Sequence, residues 1–172
     1  MGTSGRVSGT IALIAGGIFY QISFTNFAVI IPLVNNSLPL GVSEGFVLGA
    51  FPLGAAALFI PSGFVSLHWG PRTTLILGLA IEGLSGVASG LAQSPLELAI
   101  LRAASGAGAA LFYAPAVGLL APMHPGSSRA IVIGMFASLS VAIGATVGFL
   151  GGPISAWPLA GDSFFWRPDS ER

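Results

Sequence analysis

Apolar residues fall into long blocks separated by short polar or turn-forming breaks. A helix crossing a bilayer needs roughly 20 consecutive apolar residues with few charges. Five windows satisfy this, at about 11–34, 45–67, 73–92, 98–121 and 130–156. The breaks between them hold Asn35-Asn36-Ser37, Gly70-Pro71, Gln93-Ser94-Pro95 and the stretch from Pro122 to Ser128, all rich in residues that punctuate helices. The pattern predicts an all-α integral membrane protein with about five transmembrane helices in one bundle over residues 1–156. The first window is expected to be a retained helix rather than a cleaved signal peptide. Its apolar run is too long, and no clear small-x-small cleavage site follows it. Residues 157–172 are polar, carry Asp162, Arg167, Asp169, Glu171 and Arg172, and are expected to form a tail that cannot span.

Composition agrees with lipid as the solvent. Only 7% of the residues are charged, against about 25% in a typical soluble domain. Six basic residues, all arginine, balance six acids, so the basic excess that phosphate backbones require is missing and no nucleic-acid partner is expected. Cysteine is absent, which removes disulfides and thiolate metal sites. No metal or cofactor is expected: His68 and His124 stand alone in loop regions, and no phosphate loop, zinc motif or nucleophile elbow occurs.

The arginines also predict orientation. Arg6, Arg72 and Arg129 fall in the N-terminal segment and in the second and fourth connections, which share one side if the spans alternate. The opposite connections carry Glu44 and Glu97 and no arginine outside the helices. By the positive-inside rule the N-terminus is expected to be cytoplasmic, in a multi-pass protein of the cell membrane.

Two constellations carry a family likeness. The second connection places Gly63, His68, Gly70 and Arg72 in the order Gly-x4-His-x-Gly-x-Arg. Span four opens with Arg102-Ala-Ala-Ser-Gly106-Ala-Gly108. Both resemble motifs of the major facilitator superfamily, the first its loop between spans two and three, the second its arginine and glycine-rich stretch in span four. Leu67 replaces the family's aspartate in the loop motif, so the charge network that the family builds there is not expected in the same form. The resemblance covers roughly residues 10–156 and looks like the N-terminal half of such a transporter. It implies a secondary transporter of a small solute, with a proton as candidate coupling ion, working by alternating access between two rocking halves. A second half-transporter chain is then a candidate partner beside the bilayer. A polar stretch after residue 156, where the family commonly has a sixth span, leads to the expectation of a truncated or frameshifted gene.

Polar residues inside the spans are the candidate pathway, because charges in a membrane are costly and rare. Arg102 shares a four-residue stripe with Gly106, Ala110, Ala114 and Gly118. Small residues mark helix contact faces, so Arg102 is expected to face protein or a watery cavity; the alternative is an arginine snorkelling to the interface. Glu82 lies on a similar stripe with Gly78, Gly86 and Gly90, either as a proton-titrating acid or as a hydrogen-bonded structural one. Its depth differs from that of Arg102 by about 7 Å, so only a long side chain or a water would join them. Gln21 and Asn26 in span one, with Tyr113 in span four, are candidate substrate contacts, since the resemblance implies that these two spans line the path. Hydrogen bonds between helices are the plain alternative. Gly144, Gly148 and Gly152 in span five suggest a close-packing face. A small non-transporting membrane scaffold would need only such faces, whereas an embedded enzyme would need clustered polar groups that the chain lacks.

Overall fold

The computed structural model of the chain describes residues 3–38 and 40–160. They form α1 (Thr3–Ser37), α2 (Glu44–Trp69), α3 (Pro71–Ser89), α4 (Pro95–Met123) and α5 (Ser128–Ala160), with a single 3-10 turn at Gly41–Ser43. No strand occurs among the described residues. Four stretches are long and apolar enough to cross a membrane: Gly5–Pro32, Glu44–Trp69, Pro95–Met123 and Ser128–Gly151. Helix α3 falls short of that group. Its 19 residues reach about 28 Å at 1.5 Å each, near the ~30 Å hydrocarbon core. Arg72, Glu82 and its threonines and serines lower its apolar character. About five spans are expected; among the described residues four helices are strongly apolar and α3, shorter and more polar, is the fifth.

The helices start and stop where local chemistry dictates. Between α2 and α3, Gly70 adopts φ 82°, a conformation costly for any residue with a Cβ. Pro71 then occupies the first turn of α3, where a missing N–H costs nothing. The turn before α4 is closed by a reciprocal cap. The Glu97 backbone N–H donates to Ser94 Oγ at 3.2 Å, and the Gln93 backbone N–H donates to Glu97 Oε2 at 2.9 Å, much as in a capping box. Helix α3 ends at Ser89, three residues before the predicted limit, because Gly90 and Leu91 turn back onto Val87 and Ala88. Apolarity continues through that turn and hides it from a hydropathy reading. Helix α5 runs on to Ala160, four residues into the predicted tail; the remainder of that tail, 161–172, lies outside the described residues.

Large apolar side chains such as Ile60, Phe64, Leu84, Val87, Ile131 and Phe149 stand on the outside of the bundle. In water that surface would drive association; in a bilayer it is the lipid contact. The interior is organised around α4, which packs on α2 along one side and on α3 along another, while α1 pairs with α5. Glycine makes each seam close. A Cβ at Gly54 would strike the Ala103 backbone, and one at Gly106 the Phe51 backbone. On the α3–α4 seam a Cβ at Gly108 would lie 2.5 Å from the Glu82 nitrogen, and on the α1–α5 seam one at Gly144 would lie 2.5 Å from Gln21 Cβ. Without a hydrophobic force between helices in lipid, such backbone approach supplies the packing. The stripes stop short of their full length, however. Gly86 and Gly118 have open space where a Cβ would stand, because crossing helices diverge after a few turns.

Candidate functional site

Two apolar clusters fill the bundle. One gathers Phe27, Ile31, Leu40, Val47, Ala50, Leu98 and Ala99, the other Leu13, Phe112, Ala116, Leu120 and Phe136. Along α1 and α4, the polar side chains Tyr20, Arg102 and Ser105 fall between them, and Tyr113 packs against the second. Arg102 is 4% exposed, so its charge lies inside the protein rather than at the membrane surface. Its guanidinium carbon stands 4.0 Å from the ring centre of Phe27 on α1 and 4.9 Å from that of Phe51 on α2. Each such cation–π contact contributes roughly 0.5–2 kcal/mol, useful compensation for a charge away from water.

Glu82 is 1% exposed, facing α4 from α3. Its own carbonyl accepts a 3.4 Å hydrogen bond from Ser105 Oγ, which ties the two helices at this depth. Among the described residues neither carboxylate oxygen has a hydrogen-bond partner, and neither does Arg102 Nε. The two side chains are within electrostatic reach of each other, and Ser23 and Tyr20 of α1 lie close to the acid. Ser23 approaches the carboxyl without meeting hydrogen-bond geometry. The result is a buried acid and a buried base, near one another but not joined by a direct hydrogen bond.

Beside them runs an aromatic series. Tyr20 and Tyr113 have ring centres 6.0 Å apart; Tyr20 also stacks 6.0 Å from Phe51, and Tyr113 lies 5.2 Å from Phe136. Tyr20, Ala55, Phe59, Ala109, Ala110 and Tyr113 enclose a small cavity of about 90 Å³, room for several waters. Of the candidates read from sequence, Glu82 and Arg102 thus come together, while Tyr113 lies 11 positions further along α4, about 16 Å at helical rise, and is joined to them only through the Tyr20 and Phe51 rings. Gln21 and Asn26 sit on the α1–α5 seam. Gln21 Nε2 donates to Thr25 Oγ1 at 3.3 Å and its stem covers Gly144; Asn26 lies against Gly148 and Gly151.

The loop-motif residues are elsewhere. Gly63 and His68 are exposed; His68 Nδ1 lies 3.1 Å from the Phe64 carbonyl of its own helix. Gly70 makes the turn and Arg72 begins α3. Phe27 and Phe51 escape sequence reasoning, and Tyr20, visible with Gln21, Thr25 and Asn26 as a polar residue of span one, is not among the candidate contacts. The aromatic spacing Tyr20, Phe24, Phe27 on one face of α1 is the available signal. Phe51 gives none, because its place depends on how α2 seats on α4.

Lipid-facing helices, small-residue seams and ionisable groups held inside the bundle point to a multi-pass helical membrane protein. The model of the Major Facilitator Superfamily matches residues 13–167, and the chain belongs to that superfamily. Over 84 residues it is 36% identical to the probable sulfoacetate transporter SauU of Cupriavidus necator; this stretch is 48% of the chain and 20% of that protein, so the similarity spans about a fifth of the curated relative's length. Both comparisons support a transporter. No solved structure matches the chain.

Proposed function

We propose that the chain forms part of a secondary transporter of the cell membrane that carries a small organic anion by alternating access, with its N-terminus in the cytoplasm. The observation that carries this reading is Arg102, a buried guanidinium whose Nε has no hydrogen-bond partner among the described residues, flanked by the rings of Phe27 and Phe51, the second of which stacks on Tyr20. A planar cationic fork suits a carboxylate or sulfonate. Sulfoacetate, named for the relative, carries both groups and serves as the first probe. Tyr113 and Tyr20 line a small cavity further along α4, and Gln21 and Asn26 sit on the α1–α5 seam. The bundle supplies one wall of such a pathway; rocking against a second bundle opens it to either side.

Glu82 gives the coupling. An anion seated on Arg102 competes with the carboxylate of Glu82 for the same positive charge. Two negative charges beside one cation in a low dielectric repel strongly, so a proton entering with the anion would relieve the conflict. Uptake of labelled sulfoacetate and related organic acids into membrane vesicles tests the reading. Arg102→Ala is expected to lower uptake roughly 10- to 100-fold, the worth of a hydrogen bond to a charged group. Flux by no organic acid tried would favour a scaffold instead.

A further inference from the structure

At the end of the bundle where α1 and α3 begin and α4 ends lies a much larger cavity, of about 550 Å³. Its walls are apolar, with Leu13 of α1, Leu75 of α3 and Leu119 of α4 among them, and Arg6 and Arg72 also line it. No acid lines it. It is not the Arg102 region: Met123, on its wall, is 21 positions along α4 from Arg102, about 30 Å at helical rise. Apart from the buried Arg102 and Glu82, the charges of the described residues divide by end. Arg129 begins α5 at this same end, after the short turn from α4, while Glu44 and Glu97 open helices at the other.

An apolar slot edged by two cations matches one kind of molecule: an amphiphile with an anionic head. We propose that this cavity seats an acidic phospholipid of the adjacent leaflet, its phosphate held between Arg6 and Arg72 and an acyl chain laid along Leu13, Leu75 and Leu119. The guanidinium forks fit phosphate oxygens. The arginine-rich end faces the leaflet where acidic lipids concentrate if it is cytoplasmic. A volume of this size lies within the usual range for bound small molecules, sufficient for a headgroup and the upper part of a chain. The assignment stands independently of the transported solute.

Native mass spectrometry of the protein released from micelles holding equal amounts of phosphatidylglycerol and phosphatidylcholine tests it. The wild type is expected to retain phosphatidylglycerol at least about tenfold over phosphatidylcholine. Arg6→Gln with Arg72→Gln should bring the ratio to about one. Leu75→Trp, which fills the cavity and leaves both arginines, should do the same, whereas Arg129→Gln should leave the preference intact. Equal retention of the two lipids by the wild type would overturn the proposal. So would an Arg129→Gln effect as large as that of the double variant, which would mean general surface charge. Displacement of the lipid by excess inorganic phosphate would assign the arginines to a soluble anion and equally overturn it.

Discussion

Arg102 and Glu82 hold charge where lipid or dry protein makes charge expensive, and each is placed by small neighbours that let another helix come close. Arg102 is four residues before Gly106, whose missing Cβ admits the Phe51 backbone and so brings the Phe51 ring beneath the guanidinium. Glu82 is packed against Gly108 in the same way. If the acid admits the coupled proton, Glu82→Gln should leave sulfoacetate exchange between equal pools intact while abolishing accumulation driven by an inward proton gradient. Tyr20, Ser23 and Arg102 are among the polar groups around that acid, with Ser105 on its backbone carbonyl, and replacing either Tyr20 or Ser23 should not produce this split. Vesicle uptake with and without an imposed gradient separates the two outcomes.

At the scale of the helices, the seams decide stability. Gly106 and Gly118 belong to one sequence stripe on α4 but meet different surroundings. Gly106→Ala should cost about 1–3 kcal/mol or more, since the added methyl strikes backbone that cannot rotate away. Gly118→Ala, in open space, should be neutral or stabilising by up to ~1 kcal/mol through helix propensity. Thermal unfolding in detergent measures both. This pair also marks how far the sequence is legible. The five helices, the breaks at Gly70-Pro71 and Ser94-Pro95, and an inward face for Arg102 follow from block length, turn residues and stripe spacing. Where each stripe stops does not follow, because it depends on crossing angles that no single helix encodes. The same ignorance hides Phe27 and Phe51, which are two among 12 phenylalanines until α1 and α2 are rotated onto α4. Gln21 and Asn26 read as pathway residues for the converse reason: polarity inside a span is visible, but the side of α1 it faces is set by the glycines of α5.

For the whole molecule, the three arginines at one end of the bundle predict its orientation. The chain has no cysteine, so single cysteines report without further engineering. Arg129→Cys should react with an impermeant maleimide only when the cytoplasmic face is accessible, and Ser94→Cys only from the opposite face; the reverse pattern would invert the topology. If Arg102 anchors a transported organic anion, its replacement must change the initial rate of labelled sulfoacetate uptake in membrane vesicles, compared for wild type, Arg102→Lys and Arg102→Ala at matched membrane levels. Uptake is expected for the wild type, with partial loss for lysine, which keeps the charge but not the fork, and a roughly 10- to 100-fold loss for alanine. Equal rates in all three would contradict that anchoring, and would return Arg102 to a structural role between Phe27 and Phe51.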